Sequence, residues 1–200
     1  IKGNKAISTE TIMAKIKTRA GQVYYAQTSR DDIKRLYETG FFSDISLELE
    51  DVEGGVKVVF KLEERPLIEE IVIQGNKALS RAAILRKLKI KVGQYLNLSV
   101  LNEDIAAVKK EYERVGMLDV VVDTDMEENK TENKTKVIIK IDEGKRVKIK
   151  RIYVDGNFNF PDSRILGLIK TRKAWLFNAG FFKEDQFTDD LERIKTFYQK

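Results

Sequence analysis

The stretch Gly3-Asn4-Lys5-Ala6-Ile7-Ser8 returns as Gly75-Asn76-Lys77-Ala78-Leu79-Ser80, and a shorter echo stands at Gly156-Asn157. The residues that follow keep the offset of 72: Ile12, Lys15, Ile16, Lys17 and Gly21-Gln22 answer to Ile84, Lys87, Leu88, Lys89 and Gly93-Gln94. Behind the third copy come Pro161, Ile165, Leu168, Ile169 and Lys170. A period of this length exceeds the about 20–50 residues of solenoid repeats and suits a small domain. The 200 residues are therefore expected to form a string of similar domains over 1–65, 66–144 and 145–200. Domains of about 70 residues bury only a modest core, so contacts between neighbours should matter.

Within each block the apolar spacing changes period. Ser8 and Ser80 stand as N-caps before short helices carrying Ile12 and Ile84. A second helix is expected from about Thr28-Ser29, with Asp31 and Asp32 as first-turn carboxylates and Ile33, Leu36 and Tyr37 as its stripe. Its counterpart, capped by Asn97 or Ser99, carries Leu101, Ile105, Val108 and Tyr112. The closing glycines, Gly40 and Gly116, lie 76 apart rather than 72, so this helix should be about one turn longer. Alternation then takes over. Ile45, Leu47 and Leu49, then Val58, Phe60 and Leu62 across Gly54-Gly55, read as a hairpin. So do the strand through Leu118, Val120 and Val122 and the strand through Val137, Ile139 and Ile141, with residues 127–134 as the turn. Pro66 marks a boundary. A leading strand is expected at Ile68, Ile71, Val72 and Ile73, and again at Val147, Ile149, Ile152 and Val154. In the third block a helix opens at Pro161-Asp162 and a second carries Leu191, Ile194, Phe197 and Tyr198. The third block is expected to lack its hairpin, exposing the stripe of Leu191, Ile194 and Phe197 to pairing, swapping or disorder. The first block is expected to lack most of its leading strand. Each unit is strand, helix, helix, strand, strand: an α+β fold with a three-stranded sheet and both helices on one face.

Composition removes several chemistries. There is no Cys and no His, which excludes thiolate and imidazole ligands and His-dependent triads. No acidic loop has calcium-binding spacing, and no Gly-rich phosphate loop precedes a helix. The carboxylate pairs Asp31-Asp32 and Glu63-Glu64 read as helix-start and surface charges, not as an acid/base pair. No cofactor and no catalytic residue is expected. The net charge of +5, with pI about 9.2, reads as a well-charged surface in which acids and bases mix. No run approaches the about 18 apolar residues that span a bilayer. Ile1 in place of Met marks the chain as a processed form or a piece of a longer protein.

The order of these elements, the Gly-Asn-Lys-Ala turn, Asp32-Ile33-Lys34-Arg35-Leu36-Tyr37-Glu38-Thr39-Gly40-Phe41-Phe42, Asp142-Glu143-Gly144 and Asp190-Leu191-Glu192-Arg193-Ile194 together resemble POTRA domains, in the arrangement of BamA-type outer-membrane protein assembly factors. The resemblance covers nearly the whole chain. It implies a tandem array, with a mixed sheet in each domain and the third domain incomplete, on the periplasmic side of the outer membrane of a Gram-negative bacterium. It implies a C-terminal transmembrane β-barrel in the same protein, accessory lipoproteins of the assembly complex, and unfolded β-barrel precursors as clients. POTRA regions of two-partner secretion or translocation assembly transporters are the alternative. An RNA-binding α+β module is remote, because there is no Gly-x-x-Gly clamp and no aromatic pair on a strand. No nucleic acid is expected.

The resemblance places the strand after each second helix at an exposed sheet edge, where an extended client adds by β-augmentation. The candidate residues are Asp44, Ile45, Ser46, Leu47 and Glu48 in one domain, and Leu118, Asp119, Val120, Val121 and Val122 in the next. Their charges also suit protected edges. Trp175, Phe177, Phe181 and Phe182, in an insertion of the third block, form a candidate partner surface, with packing against a neighbouring domain or the local core as the alternative.

Overall fold

A computed structural model describes residues 1–175 and 178–199. The first repeat holds α1 (Thr9–Lys15), α2 (Ala26–Glu38), β1 (Phe42–Val52) and β2 (Gly55–Glu64). The second holds β3 (Leu67–Gln74), α3 (Arg81–Lys87), α4 (Leu98–Arg114), β4 (Val121–Asn129) and β5 (Lys134–Asp142). The third holds α5 (Asp162–Leu168) and α6 (Glu184–Tyr198). Serine caps work as their spacing predicts: the Ser8 hydroxyl accepts from the Thr11 amide and Ser80 from Ala83. At α4 the cap is Asn97, whose Oδ1 accepts from Ser99 at 3.0 Å. The second helix is 13 residues in the first repeat and 17 in the next, the expected extra turn.

β1 and β2 form an antiparallel pair with a bulge between Phe42 and Asp44. The other sheet has the order β3-β5-β4. β3 runs in the direction of β5, since Leu67 donates to the Asn133 carbonyl and Gly75 packs on the Ile141 carbonyl. Lys2 takes the equivalent place beside β2: its amide donates to Phe60 and its carbonyl accepts from Leu62. That single parallel bridge is what the first repeat has where the second has β3.

The chain divides into two compact units: 1–72 with 89–102 and 125–138, and 73–88 with 103–124 and 139–200. In the first, Ile12, Ile16, Leu36, Phe42, Ile45, Phe60 and Leu62 are buried together. In the second, Ile84, Val108, Tyr112, Ile139 and Ile165 are among the fully buried side chains.

Four expectations are corrected. α2 starts at Ala26, two residues before Thr28, so Asp32 lies in the helix body. β4 starts at Val121; Leu118 and Asp119 form a turn and Val120 is buried ahead of the strand. β4 also runs on through Asn129, so only residues 130–133 turn. Residues 147–154 form no strand; only Lys148 makes an isolated bridge, to Phe181. The partner is short: Val147 and Ile149 exchange backbone hydrogen bonds with Ala174, Gly180 and Phe182, on either side of the Trp175–Asn178 bridge, and among the described residues this pairing stops at Ile149.

Candidate functional site

The carboxylates read as surface charges are partly internal. Asp32 is fully buried. Its carboxylate accepts from the Lys17 and Thr18 amides, from the Thr18 hydroxyl and from Arg35. Burial by itself raises its pKa; the Thr18 hydroxyl, the two amides and Arg35 outweigh burial and hold it below the usual range. Asp190 does the same for the Lys170 and Thr171 amides, paired with Arg193, and Asp104 is buried at the equivalent place. Glu64 is buried too, and accepts from the amides of Lys5, Ala6 and Ile7. Glu143 repeats this with Lys77 and Ala78. In all three repeats the turn asparagine donates three residues on: Asn4 to Ile7, Asn76 to Leu79, Asn157 to Phe160. These groups are therefore structural. They hold the turns that join strand to helix and helix to helix. The sequence signal for them was recurrence, since Asp32, Asp104 and Asp190 keep the offsets of 72 and 86.

Beside Glu143, the Tyr112 hydroxyl is buried without a well-formed hydrogen bond. Burial first, and the neighbouring Glu143 carboxylate second, push its pKa above the ordinary phenol value.

With the inner carboxylates assigned, the open chemistry lies at the sheet edges. Among the described residues β1 pairs only with β2, and β4 only with β5. Each strand therefore keeps one row of backbone donors and acceptors that no strand pairs, which is the template for another strand, although the Ile45 amide of β1 already donates to the Tyr37 hydroxyl at 3.0 Å. Asp44, Ile45, Ser46, Leu47 and Glu48 all lie on β1. Ile45 points inward and is buried, whereas Asp44, Ser46 and Glu48 are exposed. Val121 and Val122 lie on β4; Leu118, Asp119 and Val120 do not. The β4 edge extends instead through Glu127, beyond the stretch the alternation suggested. Exposed apolar side chains flank both edges: Leu49 and Val52 on β1, Val121 and Met126 on β4.

The aromatic group in the third repeat separates. Phe181 lies under the Arg146 guanidinium, 4.1 Å from its centre, and bridges Lys148. Phe182 packs on Phe187 at 5.9 Å, and its amide donates to Val147. These two are half-buried. Trp175 is 68% exposed. Phe177 lies outside the described residues. The expected open stripe on α6 is also divided: Leu191 is exposed, Ile194 is half-buried, and Phe197 packs on Phe160 at 4.8 Å. Beside it a groove of 620 Å³ is lined by Ile152, Val154, Ile165, Ile169, Leu191 and Ile194, among others. No described helix is long and apolar enough to cross a membrane.

Known proteins match this chain along its whole length. The family model POTRA, described as surface antigen variable number repeat, matches residues 1–65, 66–144 and 147–200. The outer membrane protein assembly factor BamA of Neisseria meningitidis serogroup B is 30% identical over 206 residues, covering 100% of this chain and 25% of that protein. The BamA of Nitratidesulfovibrio vulgaris is 23% identical over 201 residues, with 98% and 25% coverage. The chain thus spans a quarter of the length of these curated relatives. Among solved structures, the N-terminal domain of Omp85 from Thermosynechococcus elongatus superposes with a TM-score of 0.49 at 18% identity, over 98% of this chain and 82% of that one.

Proposed function

The chain belongs to the POTRA family, and from that premise we propose that it is the periplasmic receiving region of a BamA-type outer-membrane protein assembly factor. Its part there is to bind, not to catalyse. Unfolded β-barrel precursors add as extended strands to the free edges of β1 and β4. The observation that carries this reading is the unpaired row on each of those strands. Main-chain pairing asks little of a client's sequence, which suits a receptor for many precursors. Two or more weak edges on one chain raise effective concentration without tight binding at either. Accessory lipoproteins dock elsewhere on the array, with exposed Trp175 as a candidate anchor, and the transmembrane barrel belongs to the remainder of the protein.

The reading is tested with adjacent proline pairs, Ser46→Pro and Leu47→Pro on β1, Asp123→Pro and Thr124→Pro on β4. In an antiparallel pair successive residues point their N–H groups to opposite sides. One member of each pair therefore loses only an outward donor. That member should keep its far-ultraviolet dichroism and bind precursor strands about fivefold more weakly, the worth of one hydrogen bond. Folded variants on both strands that bind with unchanged affinity would sink the proposal.

A further inference from the structure

The open face of the three-stranded sheet carries stripes of charge. Glu70 on β3 and Glu127 on β4 each stand 3.6 Å from Lys136 on β5, the strand between them. Glu69 stands 3.7 Å from Lys134 in the same way. Acid, base and acid follow one another across the sheet, and the last stripe lies on the strand with the free edge. Along β4 the exposed Asp123, Asp125 and Glu127 alternate with Val122 and Thr124, which are half-buried, and with exposed Met126. Asp123 forms no ion pair among the described residues. The first sheet has the same order, with Lys57 and Lys61 on β2 facing Glu50 and Glu48 on the edge strand β1. There Glu48 and Glu50 are each held by a lysine of their own sheet; on β4 Lys136 stands by Glu127, and Asp123 has no such lysine among the described residues.

We propose that the β4 edge selects extended strands that carry Lys or Arg at alternate positions and apolar residues between them. The proposal rests on reading β4 as a client edge and adds which clients it prefers. A strand paired with β4 continues the pleat, so every second side chain falls on the face of Asp123, Asp125 and Glu127. Directly opposed side chains of opposite charge favour pairing, and like charges oppose it. A basic fourth stripe extends the alternation already present; an acidic one stands against three carboxylates. The intervening side chains lie beside Val122 and Thr124, where apolar groups are favoured. The chain as a whole carries +5, so long-range attraction does not draw a cationic strand in. The preference is local to the edge.

The test is an amide-resolved NMR titration of the 200-residue chain with nine-residue peptides, the length of β4. All share the same apolar positions. The alternate positions are all Lys, all Thr or all Glu, and a fourth peptide is the Lys version N-methylated on alternate backbone amides. The Lys peptide should shift the amides of β4 and bind on the order of tenfold more tightly than the Thr peptide, with the Glu peptide weakest. Salt at about 1 M should compress the series. N-methylation should abolish binding. Asp123→Asn combined with Glu127→Gln should bring the Lys and Thr peptides close together without weakening the Thr peptide. Equal affinities at β4 for Lys, Thr and Glu peptides overturn the charge preference and leave strand addition standing. So does a preference that appears only at β1. An N-methylated Lys peptide that binds as well as its parent overturns it too, because the attraction then needs no ladder. If no peptide shifts β1 or β4, strand addition itself fails and this inference falls with it.

Discussion

Asp32 shows how much one side chain decides in a small repeat. Its folded pKa is depressed by the donors around it. Its stabilisation is therefore complete above the unfolded value of about 3.9 and is lost as pH falls through the lower folded value. Stability should drop between about pH 5 and pH 2. Asp32→Asn should be less stable at pH 7 by about 2 kcal/mol, because one amide then faces a donor, and should lose less over the same acid window. Urea midpoints measured across that range check both statements. Gly75 is as strict for a different reason. Its φ is 84°, and a Cβ there would sit 2.0 Å from the Ile141 carbonyl oxygen. Gly93, at φ 83°, meets nothing within 4 Å. Gly75→Ala should therefore cost about 3 kcal/mol or more, against about 1–2 kcal/mol for Gly93→Ala, read from thermal melts.

At the scale of elements, period and punctuation carried most of the information. The hairpin across Gly54, the serine caps and the extra turn of α4 were all legible from spacing. The inward carboxylates were not. Neighbours such as Asp31-Asp32 and Glu63-Glu64 look alike when a repeat is read alone, and there only the fold decides which one meets the amides of a turn. The β4 boundary was misplaced because Val120 keeps the alternation while it packs ahead of the ladder. Residues 147–154 have the pattern of a strand and find backbone partners only as far as Ile149. The amides of residues 150–154 should exchange with solvent rapidly, while those of Val147 and Ile149, which donate to Gly116 and Gly180, and of Val137 and Ile139 in β5 are protected. In a chain that supplies a β-hairpin after α6, residues 150–154 should become protected as well. Exchange followed by mass spectrometry on the two chains makes the comparison.

For the whole molecule, the seams between repeats matter as much as the repeats. Arg65 donates to the carbonyls of Phe42 and Leu96, and Phe41 stacks on Tyr95 at 5.0 Å. Farther along, Val147 donates to the Gly116 carbonyl and Arg146 to that of Val115. A fragment of residues 66–144 alone should therefore melt at a lower temperature than the same residues within the chain, since each seam removes apolar surface and satisfies backbone groups. Calorimetry on the fragment and the intact chain measures the difference. One of these seams bears on inheritance. The Glu64 carboxylate, which closes the turn of its own repeat, also accepts from the Asn133 side chain of the next, and Asn133 is held at a φ of 51°. A repeat transplanted from a sister protein would arrive with only half of this joint. Viable chimaeras should be those whose crossover points carry Glu64, Arg65 and Asn133 together, so descent by shuffling moves pairs of neighbours more readily than single beads.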